Sequence, residues 1–277
     1  MTTQAQHPVP VVHLSNIKVT LGKRDVLSVD SFTLQEGEIC ALMGPNGAGK
    51  TTFLKLLLGM ILKQTGGTIQ LFGQTLSPHN QKLLHQLRRQ VGYIPQQSLV
   101  AGEFPLTVRE AVATGRSATI GLFKRLQPED WQSVDHWLEE LGIANLAGRC
   151  LSEISGGEQR KVMIARAMAQ NPRLLLLDEP TANLDMGWRE QIIQTIQTLY
   201  QQTRMTFILV CHELETVPAC CRRVVLINEG KLQADGPLEE VFTPRRIQEL
   251  YGCQMSLSHR NGRYFAIPDP IPSPPTL

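Results

Sequence analysis

The octapeptide Gly44-Pro45-Asn46-Gly47-Ala48-Gly49-Lys50-Thr51 follows the apolar run Glu38 to Met43 and opens a helical pattern at Lys50. The spacing GxxxxGK[ST] between a strand and a helix restricts the chain to folds in which a buried strand delivers a glycine-rich loop to a helix N-terminus. Glycine lets the backbone close around an anion, so that successive N–H groups and the helix end face it. Gly44, Pro45, Asn46, Gly47, Ala48 and Gly49 are therefore candidates to cradle phosphates, with Thr52 in the first helical turn. Lys50 would reach the β- and γ-phosphates of a nucleotide, and the Thr51 hydroxyl would ligate Mg²⁺. The loop alone does not separate kinases, GTPases and motors.

Four short apolar runs, Glu38 to Met43, Leu174 to Leu177, Thr206 to Cys211 and Val224 to Asn228, have the continuous Val, Ile and Leu content of strands buried on both faces. Helical patterns lie between them, at Lys50 to Leu58, Glu158 to Gln170 and Trp188 to Gln202. That alternation predicts a doubly wound α/β fold with a parallel sheet. A shorter strand, Thr68 to Phe72, is bracketed by glycines, and amphipathic helices over Val108 to Gly115 and Asp130 to Leu141 predict a helical insertion. The closing IPDPIPSPPTL carries five prolines and predicts an extended tail.

The strand ending at Leu177 delivers Asp178 and Glu179 at its carboxyl end, where ligands collect in open α/β sheets. Asp178 is placed to hold Mg²⁺, and Glu179 to orient and deprotonate an attacking water. The formal charge is +2, from 27 Lys and Arg against 25 Asp and Glu, so no strong field for nucleic acid or an anionic membrane is expected. The apolar windows fall short of the ~20 residues of a membrane-spanning helix, and no secretory signal is expected at the start. Six cysteines, at 40, 150, 211, 220, 221 and 253, form no CxxC pair and read as reduced thiols.

Ile154-Ser155-Gly156-Gly157-Glu158 precedes that strand, and SGGEQRKVMIARAMAQNPRLLLLDEPTANLD runs on without a gap. Alone, SGGE reads as a Ser-capped helix start. In this order the chain resembles the ATP-binding-cassette family over residues 11–252. The resemblance implies an α/β P-loop (RecA-like) core with a small N-terminal antiparallel β subdomain and a helical signature subdomain, inserted over about 98–165. A Pro-rich tail, 253–277, would follow. ATP and Mg²⁺ are the implied cofactors. Gln96 in GYIPQQ resembles the glutamine that senses Mg²⁺ and the γ-phosphate, Asn183-Leu184-Asp185 the D-loop, and His212 in ILVCHEL the switch histidine.

In this family the phosphate loop of one subunit and the signature of another enclose each ATP. The resemblance therefore implies a head-to-tail dimer with a second copy or a sister cassette. Ser155, Gly156, Gly157 and Glu158, with Asp185, would then serve the nucleotide across the interface. One departure matters: Leu21, in VTLGKRDVL, occupies the place where the family often stacks Tyr or Phe on adenine, so that stack is expected to be absent; Arg160, where many relatives have Gln, is expected to leave the site chemistry intact.

EFPLTVREAVATGR after Gln96 and the late ELYGC resemble the importer branch that serves metal ions, iron chelates, haem or cobalamin. That resemblance implies a peripheral motor on the cytoplasmic face of the inner membrane. Its partners would be two integral membrane permease subunits and an extracytoplasmic substrate-binding protein acting through them, with no nucleic acid. The region from Gln96 to Arg116, including Phe104, Leu106 and Val108, is the expected docking surface. A soluble cassette ATPase, for example in iron–sulfur assembly, and the motor of an exporter with separate membrane chains stay open as alternatives.

Overall fold

The computed structural model describes residues 9–62, 65–96, 106–121 and 124–268. Two long strands, β1 (Val12–Leu21) and β2 (Arg24–Leu34), pair antiparallel across a tight turn, with Val12 opposite Leu34. Both alternate between buried and open positions, the pattern of strands with one covered face. β3 (Ile39–Met43) differs in having every residue buried, and it leads through the phosphate loop into α1 (Lys50–Leu57). β4 (Thr65–Leu71) and β5 (Gln74–Thr75) extend the antiparallel limb beyond β1. α2 (Gln81–Arg88) and β6 (Val91–Ile94) follow.

The next three helices form the inserted region: α3 (Val108–Ile120), α4 (Pro128–Glu140) and α5 (Gly156–Ala169). Thr107 caps α3 through a reciprocal bond pair with Glu110, which satisfies N–H groups the helix leaves open. Arg116 of α3 pairs with Asp130 of α4 at 2.6 Å. β7 (Leu174–Asp178), α6 (Met186–Thr203), β8 (Thr206–Cys211), β9 (Arg223–Asn228) and β10 (Lys231–Pro237) then alternate through the core. The chain continues through α7 (Leu238–Val241), α8 (Pro244–Tyr251), β11 (Met255–Arg260) and β12 (Arg263–Pro268).

Ten strands form one sheet in the order β5-β4-β1-β2-β10-β9-β3-β8-β7-β6. β9, β3, β8, β7 and β6 run parallel, as the continuous apolar runs predict. Their side chains divide between two cores: Ala41, Met43, Leu175 and Leu177 face the inserted helices, whereas Cys40, Leu42, Leu174 and Leu176 face α1 and β1. With both faces covered, the sheet presents the carboxyl ends of its parallel strands as the natural ligand edge.

Two expectations need correction. Residues 255–268 are not part of an unpaired tail: β11 and β12 form an antiparallel hairpin closed by Asn261 and Gly262, both at positive φ. Met255, Leu257, Tyr264 and Ala266 seat that hairpin on the core. Val108 is fully buried in this chain's own core, so it is no candidate for contact with a partner. Leu106 is half-buried, and Phe104 lies outside the described residues.

Candidate functional site

Gly44 directly follows β3 at φ 154°, and a Cβ there would lie 1.9 Å from the Ile227 carbonyl oxygen of β9. No side chain fits, and the loop turns immediately after the strand. Gly49, at φ 106°, occupies the N-cap of α1 without a capping side chain, so the first N–H groups of that helix stay available. The loop and helix start line a cleft of about 640 Å³ with Asn46, Gly47, Lys50, Thr51 and Thr52, and Gln96 and Glu179 close one side. A second cavity of about 350 Å³, lined by His212, Asn183 and Thr216, shares Asn46, Gln96 and Glu179 with the first. Glu179 thus stands at the junction of the two.

The Lys50 ammonium is buried and donates to the Gly44 and Pro45 carbonyls at 2.8 and 2.9 Å. Burial pulls its pKa down, and the Glu179 and Asp178 carboxylates oppose that shift. The Thr51 hydroxyl donates to Asp178 Oδ1 at 3.3 Å, and the Tyr93 hydroxyl donates to Oδ2 at 3.3 Å. Burial pushes the Asp178 carboxyl up and, with that carboxylate beside it, pushes the Tyr93 phenol to about 12. A hydroxyl and a desolvated carboxylate converging in this way make a hard oxygen donor pair that suits Mg²⁺.

Glu179 is 8% exposed and has φ 50°, a left-handed backbone that an L-residue adopts at a cost. Its two carboxylate oxygens have different partners: Gln96 Nε2 donates to Oε2, and His212 Nε2 meets Oε1. A buried carboxylate held on both oxygens beside a phosphate cradle can orient a water and take its proton.

None of Ser155, Gly156, Gly157, Glu158 or Asp185 lines either cavity. Ser155 caps α5, and Glu158 Oε2 accepts from the Ser155 N–H and hydroxyl at 2.7 and 2.8 Å. These bonds hold the Glu158 carboxyl below its usual range. A Cβ on Gly157 would lie 1.9 Å from Trp188 Cδ2, so glycine is required there by packing within the chain. Asp185 caps α6 by accepting from the Trp188 N–H at 2.9 Å.

Leu21 is 41% exposed, and the neighbouring residues that line the phosphate cleft are Arg24, Asp25 and Val26. Sequence reading named Leu21 at the place of an adenine stack and did not name Arg24, Asp25 or Val26, across the β1–β2 turn. It also passed over Glu229 and Gly230, which line the cleft from the β9–β10 turn, and Tyr93 on Asp178. Only Tyr93 carried a usable signal, in its closeness to Gln96 within GYIPQQ.

The family model described as ABC transporter matches residues 27–182. The chain belongs to the ABC transporter family. The manganese transport system ATP-binding protein MntB of Bacillus subtilis is 33% identical over 245 residues, covering 88% of this chain and 94% of that protein. The zinc uptake system ATP-binding protein ZurA of Listeria innocua is 34% identical, covering 83% of this chain and 87% of its own. Among solved structures, one assigned to the metal-chelate type of ABC transporter, in an inward-facing conformation, aligns with a TM-score of 0.79 at 26% identity. It covers 95% of this chain and 98% of that one. A dimeric ATP-binding cassette in a post-hydrolysis state with ADP and phosphate aligns with a TM-score of 0.70 at 26% identity, covering 82% and 98%. This ABC chain is an ATPase subunit, and no helix among its described residues is long and apolar enough to cross a membrane.

Proposed function

We propose that this ABC ATPase powers the import of a metal ion or metal chelate through separate membrane subunits, working as a head-to-tail pair of cassettes on the cytoplasmic face of the membrane. The observation that carries the reading is the grip on Glu179, whose two oxygens are held by Gln96 and His212 beside the Lys50 cradle. In this reading Glu179 orients the attacking water and takes its proton, while Gln96 and His212 fix its geometry. Lys50 and the backbone N–H groups of the loop from Asn46 to Thr52 hold phosphate charge. Thr51 and Asp178 would hold Mg²⁺, with Gln96 close by; the metal, when bound, neutralises charge on the phosphates. Ser155 and Gly156 are exposed at the N-terminus of α5, the place from which they would serve a nucleotide on a second cassette, whereas Gly157 behind them is buried.

The metal-transport names of MntB and ZurA support the importer reading, and the dimeric solved relative supports the pairing. A cassette domain over residues 11–252 and an extracytoplasmic binding protein upstream of the permease complete it. The test is to express the chain with its neighbouring membrane subunits, extract them in mild detergent, and compare cellular manganese, zinc and iron in cells carrying wild type or Glu179→Gln. Co-purification with a loss of uptake for one metal is expected. Unchanged metal content, or no membrane partner, would count against import.

A further inference from the structure

Arg160 lies one turn into α5 and is 8% exposed. Among the described residues it makes no ion pair with a carboxylate. Its guanidinium donates instead to two backbone carbonyls, Nη1 to Pro95 at 2.8 Å and Nη2 to Gln96 at 2.9 Å. A cation removed from water is costly to keep unless its N–H groups are met, and the rigid planar fork of arginine meets both carbonyls at once. The bonded segment is the one that carries the Gln96 side chain to Glu179.

The first turn of α5, beside Arg160, is bound just as closely. Gly157 packs against the Trp188 ring with no room for a Cβ, and the Trp188 N–H is held by the Asp185 cap at 2.9 Å. A contiguous series of contacts therefore runs from Asp185 through Trp188, Gly157 and α5 to Arg160, and on to Gln96 and Glu179. A shift of α5 would carry both carbonyls with it, whereas a glutamine is shorter and lacks the planar fork that presents two separate nitrogens to the two carbonyls.

We propose that Arg160 is a positioning residue that makes the Gln96–Glu179 geometry on its own chain follow the signature helix. Resting on the head-to-tail reading above, this couples the two nucleotide sites: contact of Ser155 with the partner's nucleotide is felt at the carboxylate that serves the chain's own. The physical basis is a packed helix joined to a loop by two directional bonds, the kind of network that transmits small displacements.

The experiment compares full-length Arg160→Met, Arg160→Lys and Ser155→Ala, and the Ser155→Ala/Arg160→Met double variant, by kcat, by binding of a fluorescent ATP analogue and by thermal melting. Arg160→Met should keep analogue affinity and melting temperature while kcat falls roughly 3- to 30-fold. Arg160→Lys should recover part of the loss, since an ammonium retains the charge and bonds to the carbonyls but loses the planar fork. The double variant should be less impaired than the product of the singles, because both act through one link. An unchanged kcat, additive losses, or a parallel fall in affinity and melting would overturn the proposal. Where Arg160→Met does not fold, Arg160→Gln decides with the same expectations. Gel filtration of Glu179→Gln with ATP tests the pairing separately: pairing with additive losses removes only this inference, and no pairing removes the dimer reading and the coupling together.

Discussion

His212 Nε2 meets Oε1 of Glu179, and the residue it meets sits in a left-handed backbone at φ 50°. The side chains around Glu179 hold it in a conformation that costs energy, which ties the carboxylate to one orientation in the cleft. Replacing it by Gln preserves shape and removes the carboxylate proposed as the base. Glu179→Gln should retain ATP binding while kcat falls roughly 100- to 10,000-fold, the range expected for loss of a general base. Single-turnover hydrolysis measured beside analogue binding checks this, and wild-type turnover would remove the assignment.

Asp178 illustrates the opposite balance between site and fold. Burial raises its carboxyl above the ordinary 3.8 of an aspartate, so the folded chain holds that proton more tightly than the unfolded one. The sign follows from linkage: the ionised group costs stability above 3.8, increasingly as pH rises through the raised folded value, and costs nothing once protonated in both states. Asp178→Asn should therefore melt higher than wild type at neutral pH, by about 2 to 4 °C if ~1 kcal/mol is recovered, and the gain should fade in acid. The same variant should lose Mg²⁺-dependent hydrolysis. Calorimetry of the nucleotide-free protein at two pH values tests the first part, and a lower melting temperature at neutral pH would contradict it.

Arg24 lines the cleft where the base of a nucleotide would extend beyond the phosphate loop, and its neighbour Asp25 is occupied by Lys18 at 2.9 Å and Thr20 at 2.8 Å. That leaves the planar guanidinium as the group suited to stack on adenine. Arg24→Ala should raise KM for ATP roughly 2- to 30-fold, corresponding to ~0.5 to ~2 kcal/mol, with kcat little changed. Leu21→Tyr should change KM little. A KM that responds to Leu21 and not to Arg24 would return the base contact to the other side of the turn.

What the sequence disclosed and what it hid divide along physical lines. β3, β7, β8 and β9 were legible because strands covered on both faces leave continuous apolar runs. The phosphate loop, Asp178 and Glu179 were legible because their spacing is local. The place of Arg24 in the cleft lining was not, since it depends on how a turn between two strands is carried over a loop distant in sequence. Arg160 looked like a neutral exchange because its partners, the Pro95 and Gln96 carbonyls, are backbone atoms that no residue pattern names. The hairpin of β11 and β12 was missed although Asn261-Gly262 is a strong turn signal, because the prolines that follow dominated the reading.

The C-terminal segment bears on the loop that carries His212. Tyr251 donates to the His212 carbonyl at 2.9 Å, and Arg263 of β12 donates to the Glu215 carbonyl and forms a two-bond pair with Glu190 of α6, at 2.6 and 3.0 Å. The loop that carries His212 is thus held from the C-terminal side. The Arg263 guanidinium lowers the Glu190 carboxyl below 4.5, so the pair contributes stability that is complete above 4.5 and is lost as pH falls through the lowered folded value. Glu190 is half-exposed, so solvent weakens the ion pair and the carbonyl bonds carry part of the effect. Arg263→Ala should lower the melting temperature at neutral pH by a margin that narrows in acid, while Arg263→Lys should keep the charge and lose the two-bond geometry. Because the same contact restrains the loop after His212, Arg263→Ala should also lower kcat more than it alters ATP affinity. Melting curves at neutral pH and below 4.5, read beside kcat and KM, separate the two effects. A margin that does not change with pH would assign the stability to the carbonyl bonds alone, and an unchanged kcat would leave the hairpin without a hold on the histidine loop.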